Sequence, residues 1–335
     1  MIDKFRDFKE KIRQIYDNDI KINLSPASSF RGRCEFGYQN DFYIMHKNDA
    51  KIKITYFNDA CSSIKTIMPL LLKEINKSKV LKSKLFQINF RSNNKNELMV
   101  TLIYHKKIDQ SLIDEINKLS NRININIILR SKNFKYFTNS EYLSNFIDHD
   151  QYQTFQTDNC FYQPNIFLLD NMINSIKDMV DESNDLLELY CGVGTFTLPL
   201  SKLFKKILAT ENNRSSIKCL NKAIDINKLS NIDSVRLSAQ EVSQFINGRY
   251  FKRMGGKTVS SYNFSHILVD PPRSGLTNEV IELISKFENI IYISCNPNTY
   301  IRDINLLKKH QLINIEIFDQ FPNKPHMELI SLLQK

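Results

Sequence analysis

Apolar and polar positions follow two different patterns along this chain. Between residues 30 and 130, short runs of alternating apolar and polar residues predict strands, and longer runs with apolar residues every three to four positions predict helices. Strands are expected at residues 30–38, 41–46, 51–57, 85–91, 98–104 and 123–130, helices at residues 64–77 and 111–119, and turns at residues 39–40 and 47–50. A charged amphipathic stretch at residues 1–20 predicts one more helix, lying across the surface. We therefore expect residues 1–150 to form a layered α/β domain.

From residue 185 onward, short apolar runs alternate with amphipathic ones. Strands are expected at residues 186–190, 206–210, 234–237, 266–269 and 290–293, with helices after residue 191, at residues 214–228 and 241–246, and close to Pro297. Strict alternation of strand and helix is typical of a doubly wound parallel sheet, which we expect over residues 185–335. Residues 151–184 then form the linker and hinge helix, and the basic residues 247–261 form a surface insertion.

Polar side chains and glycines follow several of these predicted strands, at the edge where open α/β sheets bind ligands. Strand 186–190 is followed by Cys191-Gly192-Val193-Gly194, in which two glycines let the backbone approach a ligand closely. Thr197 replaces the third glycine of a dinucleotide-binding loop, and the loop has no Walker lysine. Nicotinamide and nucleoside triphosphate sites are therefore disfavoured.

Three further strand ends carry candidate chemistry. Glu211 ends the strand after the glycine loop, where a carboxylate can accept hydrogen bonds from a ribose diol. Loop, strand and acid together resemble the S-adenosylmethionine site of class I methyltransferases. Asp270 and Arg273 flank a rigid Pro-Pro turn, and Cys295 follows the strand at residues 290–293. A cysteine is more often a small buried hydrophobe than a nucleophile, and only these neighbours favour the second interpretation for Cys295.

The charge of the chain adds a partner to this picture. The formal net charge is +10, which indicates an acidic partner such as RNA, although an A/T-biased codon usage would also enrich lysine. In the first predicted strand, Arg31 and Arg33 stand beside Phe30, a combination suited to binding phosphate and stacking on a base. The alternative is an ordinary solvated edge strand.

The cysteine spacing and the hydropathy exclude several classes of protein. The six cysteines stand far apart without any C-x-x-C pair, so we expect six free thiols, no metal and no iron–sulfur cluster. No window approaches the roughly 18 apolar residues of a membrane span, and the first residues lack an apolar signal core. We expect a cytoplasmic protein that does not contact membranes.

Six segments together resemble one family, the RNA uracil-5-methyltransferases. They are LLELYCGVGTF at residues 186–196, ILVDPPRSGL at 267–276, YISCNP at 292–297, FDQFPNKPHMELISLL at 318–333, SSFRGRCEF at 28–36 and FYQPN at 161–165. The last two are similar to the tRNA branch of the family. The resemblance implies a class I (Rossmann-like) S-adenosylmethionine-dependent methyltransferase domain, preceded by a smaller α/β RNA-binding domain.

The resemblance also implies roles for individual residues. Cys295 would be the nucleophile and Glu328 the base. The substrate contacts expected from the residues themselves are Phe30, Arg31, Arg33 and Arg273. The implied cofactor contacts are Gln163, Tyr190, Thr195, Glu211 and Asp270. Thr195 departs from the family, which often has Asn there. The implied substrate is uridine 54 in the T arm of tRNA, with the equivalent uridine of tmRNA as a further one, and the expected state is a monomer.

The expected chemistry is covalent. A thiolate adding to carbon 6 of uracil turns carbon 5 into a nucleophile for the sulfonium methyl group, and a base then removes the proton on carbon 5. Arg273 and Gln163 are expected to bind the uracil carbonyls, and Phe30, Phe155 or Tyr162 to fill the gap left by the flipped base. His326 is the alternative base, and methylation of a base nitrogen or a vestigial RNA-binding protein are the alternative functions.

Overall fold

The computed structural model describes residues 4–47, 50–322 and 324–335. Its helices are α1 (Arg6–Ile12), α2 (Ser62–Lys77), α3 (Lys79–Lys82), α4 (Gln110–Ile123), α5 (Leu169–Asp178), α6 (Thr197–Leu200), α7 (Arg214–Ile226), α8 (Ala239–Ile246), α9 (Asn278–Ile284) and α10 (Pro297–Leu306). Its strands are β1 (Lys21–Asn23), β2 (Arg33–Gln39), β3 (Phe42–Lys47), β4 (Ala50–Ile54), β5 (Leu85–Ser92), β6 (Leu98–Tyr104), β7 (Asn126–Ser131), β8 (Phe134–Phe137), β9 (Leu143–Ile147), β10 (Tyr152–Gln156), β11 (Asp185–Leu189), β12 (Lys206–Thr210), β13 (Ile232–Val235), β14 (Phe264–Val269), β15 (Asn289–Ser294), β16 (Gln311–Phe318) and β17 (Glu328–Gln334).

The larger sheet carries the ends of the predicted ligand-binding strands. Within the described residues it has the order β1-β16-β17-β15-β14-β11-β12-β13, and its strands β11 to β15 are parallel. The register sets Leu189 opposite both Thr210 and Val269, and Val269 opposite Tyr292. The carboxyl ends of β11, β12 and β14 therefore lie level at one edge of the sheet, and β15 continues two residues further to Ser294. The predicted doubly wound sheet is confirmed.

Strand β17 runs antiparallel to both of its neighbours, β15 and β16. The sequence pattern did not predict this strand, because residues 328–333 are buried on both faces and show no alternation. Its direction has a consequence for the site. Since β17 is antiparallel, its first residue, Glu328, lies at the edge where the parallel strands end.

The predicted surface helix at residues 1–20 is wrong in length and in place. The helix α1 covers only Arg6–Ile12, and its Phe8 (3% exposed) and Ile12 (0% exposed) are buried in the core of the larger sheet. These side chains are four positions apart on one helical face, so they pack together. Strand β1 then pairs in parallel with β16. The domain limits at residues 150 and 185 stay a prediction. In the structure, β1 belongs to the larger sheet and α1 packs into its core.

The amino-terminal sheet has the order β4-β3-β2-β5-β6-β7-β8 within the described residues. The helices α2 and α4 bury one apolar face each against it, in a core with Phe36, Ile88 and Leu102. The predicted strands and helices of this region are confirmed with shifted ends, whereas β8 and the β9–β10 hairpin were not predicted. Residues 48 and 49 of the predicted turn lie outside the described residues.

The segment between the two sheets is fastened to both of them. The Gly32 N–H donates to the Pro164 carbonyl at 2.8 Å, and the Ile166 N–H donates to the Phe30 carbonyl at 3.0 Å. The Asn165 amide donates to Ser25 Oγ at 2.7 Å and to the Gln320 carbonyl at 3.3 Å. These bonds connect the amino-terminal sheet, the linker and the loop after β16. The hinge helix expected within residues 151–184 is α5.

None of the helices within residues 4–47, 50–322 and 324–335 is both long and apolar enough to cross a bilayer.

Candidate active site

The level strand ends bring three of the predicted cofactor residues together. Tyr190, Glu211 and Asp270 each follow directly after one of the aligned residues at the ends of β11, β12 and β14. All three are partly exposed in the crevice above the sheet. The sequence predicted this grouping correctly, because the parallel register depends only on the strands.

The loop after β11 has an unusual backbone. Tyr190, Gly192 and Gly194 have positive φ angles of 60°, 56° and 89°. A Cβ placed on Gly192 would meet no described heavy atom within 4 Å, whereas one on Gly194 would lie 2.4 Å from Leu220 Cδ1. Gly192 therefore leaves open space beside the crevice, and Gly194 allows the loop to pack against α7.

The carboxylate of Glu211 holds this loop. It accepts hydrogen bonds from the Gly192 N–H at 3.1 Å and the Asn213 N–H at 2.7 Å. A carboxylate has about four lone-pair sites, so acceptor positions remain for a ligand. Thr195 is 8% exposed at the start of the following turn.

A further carboxyl on β11, Glu188, was not predicted. It is 1% exposed, and neither of its oxygens has a well-formed hydrogen bond among the described residues. Burial raises the pKa of Glu188 to about 8, the nearby Thr197 hydroxyl opposes the rise, and Asp270 adds to it. The signal for it was a charged residue inside a run of apolar ones, LLELY. A buried carboxyl without partners is costly, which indicates a place for a donor from a ligand.

Cys295 and Glu328 face each other across two strands. Ser294 at the end of β15 is paired with Leu329 of the antiparallel β17. One step further along this ladder, Cys295 follows Ser294 and Glu328 precedes Leu329, so the two are opposite neighbours. Cys295 is half-buried and Glu328 is 5% exposed. The structure thus brings together the two residues that the family resemblance singled out.

The charges around the thiol are mixed. Burial, and then Glu328 and Asp270, raise the pKa of Cys295 to about 11, while Arg273 opposes the rise. Burial likewise raises the pKa of Glu328 well above its usual range, with Asp270 adding to the rise and Arg273 opposing it. Burial, and then Glu211, raise the pKa of Asp270 to about 7. All three groups therefore hold their protons more tightly than in water.

The turn that carries Arg273 is fixed by a buried carboxylate, Asp303, which was not predicted. Asp303 is 0% exposed on α10 and accepts hydrogen bonds from the Leu276 N–H at 2.8 Å and the Tyr292 hydroxyl at 2.6 Å. The Arg273 carbonyl accepts from the Asn296 amide at 2.9 Å. The Asp270–Gly275 turn and the Cys295 turn are thereby held against each other.

A cleft of about 450 Å³ opens over Cys295. Arg273, His326 and Met327 line one part of it. The other part consists of Lys4, two residues before α1, and of Asp7, Phe8 and Lys11 on α1. His326 is exposed at the rim, and burial and then Arg273 lower its pKa. The amino-terminal wall was not predicted, because the sequence alone does not show where residues 4–11 pack.

Gln163 lies apart from this cleft. It is 7% exposed and lines a smaller polar pocket between the two sheets, together with Arg33, Asn93 and Asn165. Its place at the seam agrees with the position expected before a helix. The expected joint contact of Gln163 and Arg273 with one uracil is not supported, because they line different pockets.

The predicted RNA-binding strand is only partly at the surface. Phe30 is 2% exposed, so its expected stacking role is wrong: the ring belongs to the core. Phe155, at 5% exposure, is excluded for the same reason, while Tyr162 is partly buried in the seam pocket. Arg31 and Arg33 both keep exposed surface, the first lying 5.7 Å from the Phe321 ring centroid and the second paired with Glu35 at 2.6 Å.

All six cysteines are free thiols, as predicted. Cys160 and Cys219 come within 3.8 Å of each other at their sulfurs, and both are buried. Across the described ranges, the coordinates contain no cluster of three or more His, Cys, Asp or Glu side chains with the geometry of a metal site.

Comparison with known proteins places the whole chain in one group. The model of the family described as tRNA (Uracil-5-)-methyltransferase matches residues 1–335. A tRNA/tmRNA (uracil-C(5))-methyltransferase of Campylobacter lari is 41% identical over 96% of this chain and 97% of that protein. A protein of the same name from Nitratiruptor is 38% identical over 95% of this chain and 90% of that protein.

One solved structure shares the fold. It is the tRNA (uracil-54, C5)-methyltransferase of Pyrococcus abyssi in complex with S-adenosyl-L-homocysteine, with a TM-score of 0.79 and 20% identity. The match covers 98% of this chain and 82% of that chain. At this identity the likeness shows the fold.

Proposed function

Because the chain belongs to the tRNA (uracil-5-)-methyltransferase family, we propose that it methylates carbon 5 of uridine 54 in the T loop of tRNA. The observation that carries this proposal is the opposition of Cys295 and Glu328 at the crevice edge, with Asp270 and Arg273 beside them. A thiol and a base in one crevice suit carbon methylation, whereas nitrogen methylation needs no thiol. The names of the relatives include tmRNA, so its equivalent uridine is a further proposed substrate.

S-adenosylmethionine is the cofactor and supplies the methyl group. The residues of the crevice fit it: Gly192 leaves open space, Glu211 has free acceptor positions, and the buried carboxyl of Glu188 lacks a partner among the described residues. We propose that Glu211 accepts hydrogen bonds from the ribose hydroxyls of S-adenosylmethionine and that Glu188 accepts one from an amino group of the same molecule. Tyr190, Thr195 and Asp270 complete the proposed cofactor contacts at the strand ends, and Gln163 is a further proposed contact from the seam pocket.

In the first half of the proposed reaction, the Sγ of Cys295 adds as a thiolate to carbon 6 of uracil. The electrons of the 5,6 double bond move toward carbon 5 and oxygen 4, which makes carbon 5 nucleophilic. The exposed Arg273 donates hydrogen bonds to a uracil carbonyl and stabilises the negative charge. Arg273 also lowers the pKa of Cys295, which favours the thiolate.

In the second half, Glu328 removes the proton from the methylated carbon 5. The electrons of the carbon–hydrogen bond re-form the 5,6 double bond, the bond between carbon 6 and sulfur breaks, and Cys295 leaves as a thiolate. Glu328 must be ionised for this step. Arg273 favours the carboxylate, and any cation bound in the crevice lowers the pKa of Glu328 further.

The assembly and the location follow from the same proposal. Both residues of the proposed reaction, Cys295 and Glu328, come from one chain. We therefore propose a monomer that acts on tRNA in the cytoplasm.

The test is a methyl-transfer assay with a tRNA transcript and labelled S-adenosylmethionine, followed by nuclease digestion and mass mapping. We expect 5-methyluridine at position 54 and none in a transcript with cytidine there. On a denaturing gel, Glu328→Gln should leave a covalent protein–RNA band, because sulfur cannot be eliminated, and Cys295→Ser should leave none. Methylation at a ring nitrogen, or turnover by Cys295→Ser, would refute the proposal.

A further inference from the structure

The Lys4 side chain connects the amino-terminal helix to the loop before the proposed base. Its ammonium donates to the carboxylate of Asp319 and to the carbonyls of Phe321 at 2.9 Å, Lys324 at 3.1 Å and His326 at 3.2 Å. These acceptors belong to the connection from β16 to β17, which ends at Glu328. The Lys4 ammonium thus holds four residues of the segment immediately before Glu328.

The helix that follows Lys4, α1, is anchored in the core. Phe8 and Ile12 of α1 are buried, and the Phe8 ring packs on that of Tyr300 at 6.4 Å between centroids. Tyr300 belongs to α10, the helix that starts two residues after Cys295. Lys4 therefore connects the element beside the thiol to the loop that carries the base.

The ammonium of Lys4 has little capacity left for RNA. It carries three protons and already has four acceptors within reach, and its side chain is 19% exposed. A lysine that binds phosphate needs an N–H donor free for the phosphate oxygens. The contacts of Lys4 point instead to a role inside the protein, although it lines the same cleft as Cys295.

We propose that Lys4 is a positioning residue that fixes Asp319, Phe321, Lys324 and His326 ahead of β17, so that Glu328 faces the carbon 5 proton. This inference rests on the proposed function of Glu328. Proton removal depends on placement within hydrogen-bond reach, and a displacement of about 1 Å can cost roughly a hundredfold in rate. Addition of Cys295 and methyl transfer do not use Glu328, so they proceed without Lys4.

The test compares Lys4→Met with Lys4→Arg, which keeps the charge and the donors, and with Lys9→Met, which removes a lysine of α1 itself. We expect Lys4→Met to lower kcat about tenfold or more while KM for tRNA stays within about twofold. The covalent protein–RNA band should grow relative to the wild type, because elimination becomes slow. Lys4→Arg should restore part of the rate, and Lys9→Met should match the wild type.

Several outcomes would overturn this role. They are an unchanged kcat and band in Lys4→Met, a raised KM at unchanged kcat, and a loss of S-adenosylhomocysteine binding in calorimetry that parallels the loss of kcat. Glu328→Gln is run in parallel to separate the two proposals. If Glu328→Gln accumulates the band and Lys4→Met does not, only the role of Lys4 fails; if Glu328→Gln shows no band, the role of Glu328 itself fails.

Discussion

Cys295 differs from the other cysteines in its surroundings. It is half-buried, whereas the remaining five thiols are buried. The pKa of Cys295 is raised to about 11, first by burial and then by Glu328 and Asp270, with Arg273 opposing them. The resting thiol is therefore protonated at neutral pH, and its activation depends on the charges that surround it when RNA and cofactor are bound.

The reactivity of this thiol should report its pKa directly. Iodoacetamide should modify Cys295 before the buried cysteines, and the rate should rise about tenfold per pH unit between about pH 7 and 9.5, because only the thiolate reacts. Peptide mass mapping over time gives the rate and the site. A rate that levels off near pH 8 would contradict the raised pKa.

Two substitutions should shift this reactivity in opposite directions. Arg273→Gln removes the group that lowers the pKa of Cys295, so alkylation at about pH 9 should become slower than in the wild type. Glu328→Gln removes a group that raises the pKa of Cys295, so alkylation should become faster. A common change in both variants would indicate altered access to Cys295.

At the scale of elements, the Asp270–Gly275 turn depends on its last residue. Gly275 has a φ of 74°, and a Cβ placed there would lie 2.6 Å from Arg302 Nη2, 2.6 Å from Asp303 Oδ2 and 2.9 Å from Thr299 Cβ. Arg302 also donates to the Ser274 carbonyl at 3.0 Å. The turn and α10 are therefore in contact through backbone and side chains at once.

Gly275→Ala should destabilise the protein by about 2–5 kcal/mol. Roughly 1–2 kcal/mol comes from the left-handed backbone and about 1–3 kcal/mol from overpacking against Asp303. Gly248→Ala is the matched control, since Gly248 also has a positive φ, of 94°, but no described atom lies within 4 Å of its Cβ position. Urea unfolding should show a cost of only about 1–2 kcal/mol there. Equal costs would mean that the contact with α10 is soft.

The sequence predicted elements better than their partners. Tyr190, Glu211 and Asp270 were located correctly because each follows a strand in a parallel sheet, and that geometry is set by local pattern. The opposition of Cys295 and Glu328 came only from the family resemblance. It depends on the antiparallel direction of β17, which a fully buried apolar run does not reveal.

Long-range packing accounts for the other differences. Phe30 looked suitable for stacking, yet its ring is buried and its carbonyl bonds to Ile166 in the linker. The helix near the amino terminus was predicted on the surface, yet Phe8 and Ile12 are in the core of the larger sheet. Both outcomes depend on segments more than 100 residues away, and no short-range pattern contains them.

At the scale of the whole molecule, the cations are not distributed evenly. Arg31 lies at the β16 side of the larger sheet, where Phe321 follows β16 and Lys324 shares a cleft of about 470 Å³ with Arg31. Arg249 and Lys257 lie at the opposite end, beside α8 and β13, where Lys257 pairs with Asp233. The net charge of +10 therefore attracts RNA broadly. Of these two pairs of cations, Arg31 and Lys324 lie nearer to the cleft over Cys295 than Arg249 and Lys257 do.

RNA binding should report this asymmetry through its dependence on salt. Each phosphate contact contributes about 0.7–0.9 to the slope of log Kobs against log salt, so replacing Arg31 and Arg33 by alanine should flatten the slope by about 1–2 units if both contact phosphates. Arg33 is paired with Glu35, so Arg31→Ala alone should give the larger single effect. Filter binding of tRNA between about 50 and 200 mM salt measures the slope.

The double variant Arg249→Ala with Lys257→Ala removes the same charge from the far end of the sheet, and its slope should stay at the wild-type value. If both double variants flatten the slope equally, RNA binds to the overall charge of the protein, and the strand with Arg31 and Arg33 has no special part in holding it.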